Sequence, residues 1–338
     1  MSTTTTQIPS AEAAAPSRSS HASKRGFAAY CAILVLLPAL FLSSSIPIVR
    51  SPSFPKIAAD PFLLFPDYAF SLVHEDCEIL IFGDSTAVTG LDPTAVQTST
   101  GLKTCNIAQS QSVVAIMGTR ALDEYLKHNK PPRFLVLQFA PETFAHSSKD
   151  FFWPEGLTVL VRRDLGPRAL FLLATNPQQA YAFAMWAIKA KFASLRSVPD
   201  LEMTETVFEQ RRGLLVIPKP PETACYQNRV LHPSEPAWIR SLRAKYSSSA
   251  TQVIVNVSPV PSCAKNIATI SSSLNGITDN QLPVYPIHLF SDLDRHLTLE
   301  GAERASAALA RQILASESNL QLAGTKSSHI AQQRQNAF

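Results

Sequence analysis

Glycine is scarce in this sequence, with 11 among 338 residues, while proline is plentiful, with 25. Many of its loops are therefore expected to be stiff. A strong excess of one charge is also missing. The 30 Lys and Arg residues nearly balance the 26 Asp and Glu, leaving a net charge of +4. No dense basic stripe forms, which removes the electrostatic case for nucleic-acid binding. No Cys-x-x-Cys pair occurs. His74, His128, His146 and His232 are scattered without metal-ligand spacing, so no metal site is indicated. The sequence implies no metal and no organic cofactor, and it contains no internal repeat. What is present is an ordinary globular composition. Apolar residues make up 46% of the chain, enough for a sizeable core in one large domain or two small ones.

The N-terminus stands apart. Residues 1–26 are rich in Ser, Thr and Ala and read as a disordered, cytoplasmic segment. They end in a basic cluster, Arg18, His21, Lys24 and Arg25. Residues 27–49 then carry no charged side chain, a stretch long enough to span a bilayer. Positive charge before the span predicts a single-pass, N-in anchor in the inner (cytoplasmic) membrane, with the rest of the chain outside the cytoplasm. A cleaved signal peptide is the alternative, with Ser43, Ser44 and Ser45 near its end, but such apolar regions are usually shorter. Cys31 lies within the span. Cys77, Cys105, Cys225 and Cys263 would face an oxidising compartment, and four cysteines allow three pairings. Local placement favours Cys77 with Cys105 and Cys225 with Cys263, and buried free thiols are the alternative.

Residues 50–75 read as a Pro-rich linker. Beyond it, strand and helix signals alternate over residues 76–318. Candidate strands are 78–82, 104–108, 134–139 and 252–257, with a possible fifth at 282–287. Helical patterns cover 113–128 and 299–315. Continuous apolar strands alternating with helices indicate an α/β fold, a three-layer parallel sheet covered by helices on both faces. Residues 151–224 break this rhythm and read as a helical insert, interrupted at Asn176-Pro177. The insert is either a cap over the sheet or a helix lying on the membrane surface. Phe151, Phe152 and Trp153 either line a cleft or anchor that cap. Residues 319–338 read as a disordered tail.

Two segments carry candidate chemistry. Residues 81–86 read Ile-Phe-Gly-Asp-Ser-Thr, which puts Ser85 in a turn just past a strand. In a parallel sheet function gathers at the carboxyl ends of strands, and a serine there needs only a base within reach. Gly-Asp-Ser also makes ordinary turns. The second segment, residues 290–302, holds His296 close to Asp292 and Asp294, just before a helix. A base oriented by a carboxylate suits acyl transfer. The competing reading is a helix cap from Asp294 or Thr298. Glu142, after Pro141, reads as a turn residue, with contact to substrate as the alternative.

Together the segments resemble the SGNH, or GDSL-like, hydrolase superfamily, and within it the membrane-anchored members that acetylate or deacetylate polysaccharides. Gly83-Asp84-Ser85 matches its first block; His296-Leu297-Thr298 with Gly301-Ala302 matches its last. The resemblance implies Ser85 as nucleophile, His296 as general acid/base, and Asp294 or Asp292 as the residue orienting it. The usual Asp-x-x-His spacing is absent, because position 293 is Leu. Residues 106–112 lack the family's glycine, so the oxyanion donors would be the backbone N–H groups of Ser85 and of Ser110 or Gln111. Residues 139–144, Phe-Ala-Pro-Glu-Thr-Phe, lack the usual Asn. The implied partners are an acylated cell-envelope glycan, the membrane, and envelope polysaccharide-assembly proteins. The alternative is a catalytically inactive relative that binds glycan or partner proteins.

Overall fold

The computed structural model describes residues 20–57, 63–145, 154–193, 210–217, 220–225, 237–291 and 295–335. The chain divides into two units, residues 1–44 and 45–338. The N-terminal helix α1 is Ser20–Arg50. Within it Gly26–Arg50, with a mean hydropathy of 2.3, is long and apolar enough to cross a membrane.

The described residues of the stretch read as a linker include two short helices. Helices α2, Phe54–Ile57, and α3, Leu64–Ser71, fall in it, and Phe54, Leu63 and Phe65 are buried. Prolines at 52, 55 and 66 underlay the linker reading. The large apolar residues between them instead reward packing by about 1.5–3 kcal/mol per buried side chain.

The main sheet is built from β1 (Ile79–Gly83), β2 (Thr104–Asn106), β3 (Phe134–Phe139) and β4 (Gln252–Val257). The order is β2-β1-β3-β4 and every pairing is parallel. These strands are apolar on both faces because both faces are covered. Leu80, Phe82, Leu135, Leu137, Val253 and Val255 point to one side, against α7 (Arg120–His128), α12 (Ala237–Tyr246) and α13 (Ile267–Leu274). Ile79, Ile81, Phe134, Val136 and Ile254 point to the other, against α4 (Ser85–Gly90), α5 (Pro93–Thr100) and the long helix α14 (Leu299–Gln335). A disulfide joins Cys77, before β1, to Cys105 in β2, and a second joins Cys225 to Cys263. Cys31 is a free thiol.

Residues 282–287 do not add a fifth strand to this sheet. Only Val284–Tyr285 (β6) is extended, and it pairs with Val260–Pro261 (β5). The outer edge of β4 is closed by side chains instead. Asp279 Oδ2 accepts from Val255 N–H at 2.7 Å and Asn280 Oδ1 from Val257 N–H at 2.9 Å. Those are the donors an added strand would need, and Pro283 and Pro286 flank β6 without donors of their own. The helix expected over 113–128 is also divided. Gly118, at φ 61°, separates α6 (Gln111–Met117) from α7.

The helical insert comprises α9 (Pro154–Arg163), α10 (Pro167–Thr175) and α11 (Pro177–Ala193), broken at Asn176 as the sequence suggests. Residues 151–153 and 194–209 lie outside the described residues. The tail differs from the disordered reading, since α14 continues to Gln335. Residues 319–335 contain no proline to stop it. Residues 1–19 and 336–338 lie outside the described residues.

Candidate active site at the carboxyl edge of the sheet

Ser85 follows the carboxyl end of β1. The turn that presents it depends on two residues before it. Gly83 lies against β3 so closely that a Cβ would stand 1.8 Å from Gln138 O; no side chain fits. Asp84 then caps α4, its carboxylate accepting from Thr86 N–H at 3.0 Å. Ser85 is the first residue of the helix and is half-buried. Its backbone N–H has no hydrogen-bond partner among the described residues.

Asp84 does more than cap. It is 1% exposed, and its four acceptor contacts reach two neighbouring strand ends. Oδ1 accepts from Thr86 N–H and from Thr86 Oγ1 at 2.6 Å. Oδ2 accepts from Ala140 N–H at 2.8 Å and Thr143 Oγ1 at 2.5 Å, both just past β3. The chain extends at both ends. Thr86 Oγ1 meets Ser258 Oγ, beyond β4, at 2.5 Å. Gln111 Nε2, beyond β2, donates to Thr143 Oγ1 at 2.9 Å. One network, buried except at Gln111, therefore joins the segments that follow all four parallel strands. Burial pushes the Asp84 carboxyl above its ordinary range, against the opposing effect of hydrogen bonds from Thr143, Thr86 and Ala140.

His296 arrives from the other end of the chain. It lies in β8 (His296–Leu297), antiparallel to β7 (Phe290–Ser291), with Ser291 opposite His296. Leu297 packs into the apolar layer with Ala87, Val88 and Leu309. Thr298 caps α14 through its Oγ1, which accepts from Gly301 N–H at 3.2 Å, so the cap that the sequence offered to Asp294 or Thr298 is made by Thr298. His296 is buried, and its Nε2 stands 3.1 Å from Ser85 Oγ. That is hydrogen-bond distance between side chains 211 positions apart. With Nε2 unprotonated, the ring accepts the Ser85 hydroxyl proton, the first requirement for an activated serine.

Asp292 and Asp294 lie outside the described residues. Ser110 and Gln111 are placed beside the Ser85 turn, because Gln109 N–H donates to Gly83 O at 3.0 Å. Ser110 is the cap of α6, its Oγ accepting from Val113 N–H. Gln111 is the first residue of that helix, and its side chain is committed to Thr143. Residues 139–144 bring no Asn to the site. Within that segment the Thr143 hydroxyl serves Asp84. The roles of Thr86, Thr143 and Ser258 were missed in the sequence. The only available signal was the recurrence of a hydroxyl residue one to four positions past each of three strands.

Glu142 was read as a turn residue, but it is the second residue of the short helix α8 (Pro141–Ala145). Among the described residues, no cluster of three or more His, Cys, Asp or Glu side chains is placed to hold a metal ion. No protein-family model matches the chain, and no significant match links it to a curated protein or a solved structure.

Proposed function

We propose that this chain is a membrane-anchored, SGNH-like serine esterase or O-acyltransferase that acts on acyl groups, acetyl foremost, of a cell-envelope glycan. The observation that carries the reading is the 3.1 Å approach of His296 Nε2 to Ser85 Oγ at the carboxyl edge of a parallel sheet. In this reaction Ser85 Oγ attacks the acyl carbonyl and its proton passes to His296 Nε2. The C–O bond to the sugar breaks, His296 returns the proton to the leaving sugar oxygen, and Ser85 keeps the acyl group. Water or a second sugar hydroxyl then gives its proton to His296 and attacks the acyl carbon; the bond from Ser85 Oγ to the acyl group breaks, and His296 returns the proton to Ser85 Oγ. The first outcome is hydrolysis and the second transfer. The oxyanion is bound by the N–H of Ser85 and one from the Ser110–Gln111 turn, and Asp294 or Asp292 orients His296. The candidate span and the two disulfides, which suit an oxidising compartment, support placing the domain outside the cytoplasm.

The test is turnover of an aryl acetate by the full chain in detergent, beside Ser85→Ala. The wild type is expected to release acid and the variant to lose at least about a hundredfold, the scale of removing a catalytic group. Equal rates would sink the nucleophile assignment. The second reading, a non-catalytic protein that binds glycan or partners, is favoured by the commitment of Thr143 to Asp84, which leaves residues 139–144 without the family's side-chain oxyanion donor.

A further inference from the structure

The helical insert carries an apolar surface that the proposed chemistry does not use. On α10, Leu170 and Phe171 are 53% and 65% exposed; on α11, Tyr181 and Phe192 are 63% and 69% exposed. Tyr181, Met185, Ile188 and Phe192 recur at helical spacing and so fall in one stripe along α11. Exposed Lys189 and Lys191 flank its end. Large aromatic and aliphatic side chains exposed on neighbouring helices, with lysines beside them, are the composition of helices lying in a membrane interface. A cap over the sheet would bury such residues.

The position of the insert says what covers this face. Gly26 to Ser45 already provides the roughly 20 residues that cross a bilayer core, and burial by the following domain begins at Ser45 and Val49, both 0% exposed. The insert holds that exit point. Arg162 of α9 donates to Val49 O at 2.6 Å and Ser51 O at 2.7 Å, and pairs with Asp67 at 2.8 Å. Phe54, four residues beyond the end of α1 at Arg50, packs edge-on against Trp186 of α11 at 5.6 Å. Helix α11, which carries Tyr181 and Phe192, is thus fixed to the residues that leave the membrane. The same insert reaches the candidate site. Gly156 of α9 lies against α6, where a Cβ would meet Ser112 O at 2.4 Å, next to the Ser110–Gln111 turn.

The geometry points to the α10–α11 pair as a membrane-interface element. Leu170, Phe171, Tyr181 and Phe192 enter the headgroup and acyl boundary of the leaflet from which α1 emerges, with Lys189 and Lys191 toward anionic headgroups. The inference rests on the anchor reading of α1.

The experiment places benzoylphenylalanine, one position at a time, at Phe171, Phe192, Leu37 and Val284 of the full chain. Each protein is reconstituted in phosphatidylethanolamine and phosphatidylglycerol vesicles and irradiated. Leu37 reports the span, and Val284, 41% exposed on the sheet domain, reports a surface away from the insert. Lipid adducts at positions 171 and 192 at least tenfold above position 284 are expected. Adducts at 37 with 171 and 192 no higher than 284 would overturn the inference while leaving the anchor standing. Cross-links from 171 and 192 to a second protein chain in place of lipid would overturn it as well. Absence of lipid adducts at all four positions would remove the anchor reading and the inference with it.

Discussion

Replacing Asp84 with Asn is the most informative single perturbation of the scaffold under Ser85. Each carboxylate oxygen faces one backbone N–H, Thr86 at 3.0 Å for Oδ1 and Ala140 at 2.8 Å for Oδ2. A hydroxyl can turn from donor to acceptor, but a backbone N–H cannot. An Asn side chain offers one oxygen and one NH₂, so either orientation sets an NH₂ against an N–H and leaves that donor unpaired in a buried site. Such a group costs about 1–3 kcal/mol, which for a domain of this size is a fall of about 2–12 °C in Tm. The comparison has a defined pH dependence. Burial raises the folded-state pKa of Asp84 above its ordinary 3.8. A raised carboxyl pKa gives stability that is complete below 3.8 and is lost as pH rises toward the folded value. The amide of the variant does not titrate, so the advantage of wild type over Asp84→Asn is largest in acid and narrows as pH rises above 3.8. Thermal unfolding of the full chain in detergent across that range measures it. Equal stability of the two proteins, or a gap that widens with pH, would refute the account of the network.

Further outcomes follow from particular groups. His296→Ala should retain the fold, because Leu297 rather than His296 fills the apolar layer, and should lose about 10²–10⁴ in turnover of an aryl acetate; an unchanged rate at unchanged Tm would remove His296 from the mechanism. Replacing Cys77 and Cys105 together by Ser opens a loop closed over 28 positions and should cost about 3–4 kcal/mol in denaturant unfolding. Tyr125 is buried and its Oη accepts from Cys77 N–H at 2.8 Å, and burial pushes its hydroxyl up to about 12. Its share of stability is therefore present below pH 10.0 and lost between 10.0 and about 12. Tyr125→Phe should cost about 1–3 kcal/mol at neutral pH by orphaning the Cys77 N–H and should flatten the alkaline part of the stability profile.

The central sheet was legible because its strands are short apolar runs bounded by turn residues. Phe134–Phe139 and Gln252–Val257 coincide with their expected bounds. The two cysteine pairings were legible from placement beside strands and loops. The edge of the sheet was not, since Asp279 and Asn280 close it through side chains that no periodicity announces. The helical breaks show the same division. Pro177 marks one in the sequence, whereas Gly118 marks another only through its positive φ. At the site, Ser85 and His296 stand out by residue type and context. The Asp84 network does not, because Thr86, Thr143 and Ser258 become related only when four strand ends converge. The helical insert was visible as a break in the strand–helix rhythm, but the role of the stripe on α11 depended on Arg162 and Trp186 holding the insert to the end of α1.

The central claim is that Ser85 is a nucleophile activated by His296. Its most direct measurement is labelling of the folded full chain with a fluorophosphonate, followed by peptide mapping by mass spectrometry. The account predicts one adduct, on Ser85, absent from Ser85→Ala and formed at least about a hundredfold more slowly in His296→Ala. A folded protein that takes no label, or takes it at a residue other than Ser85, would contradict it.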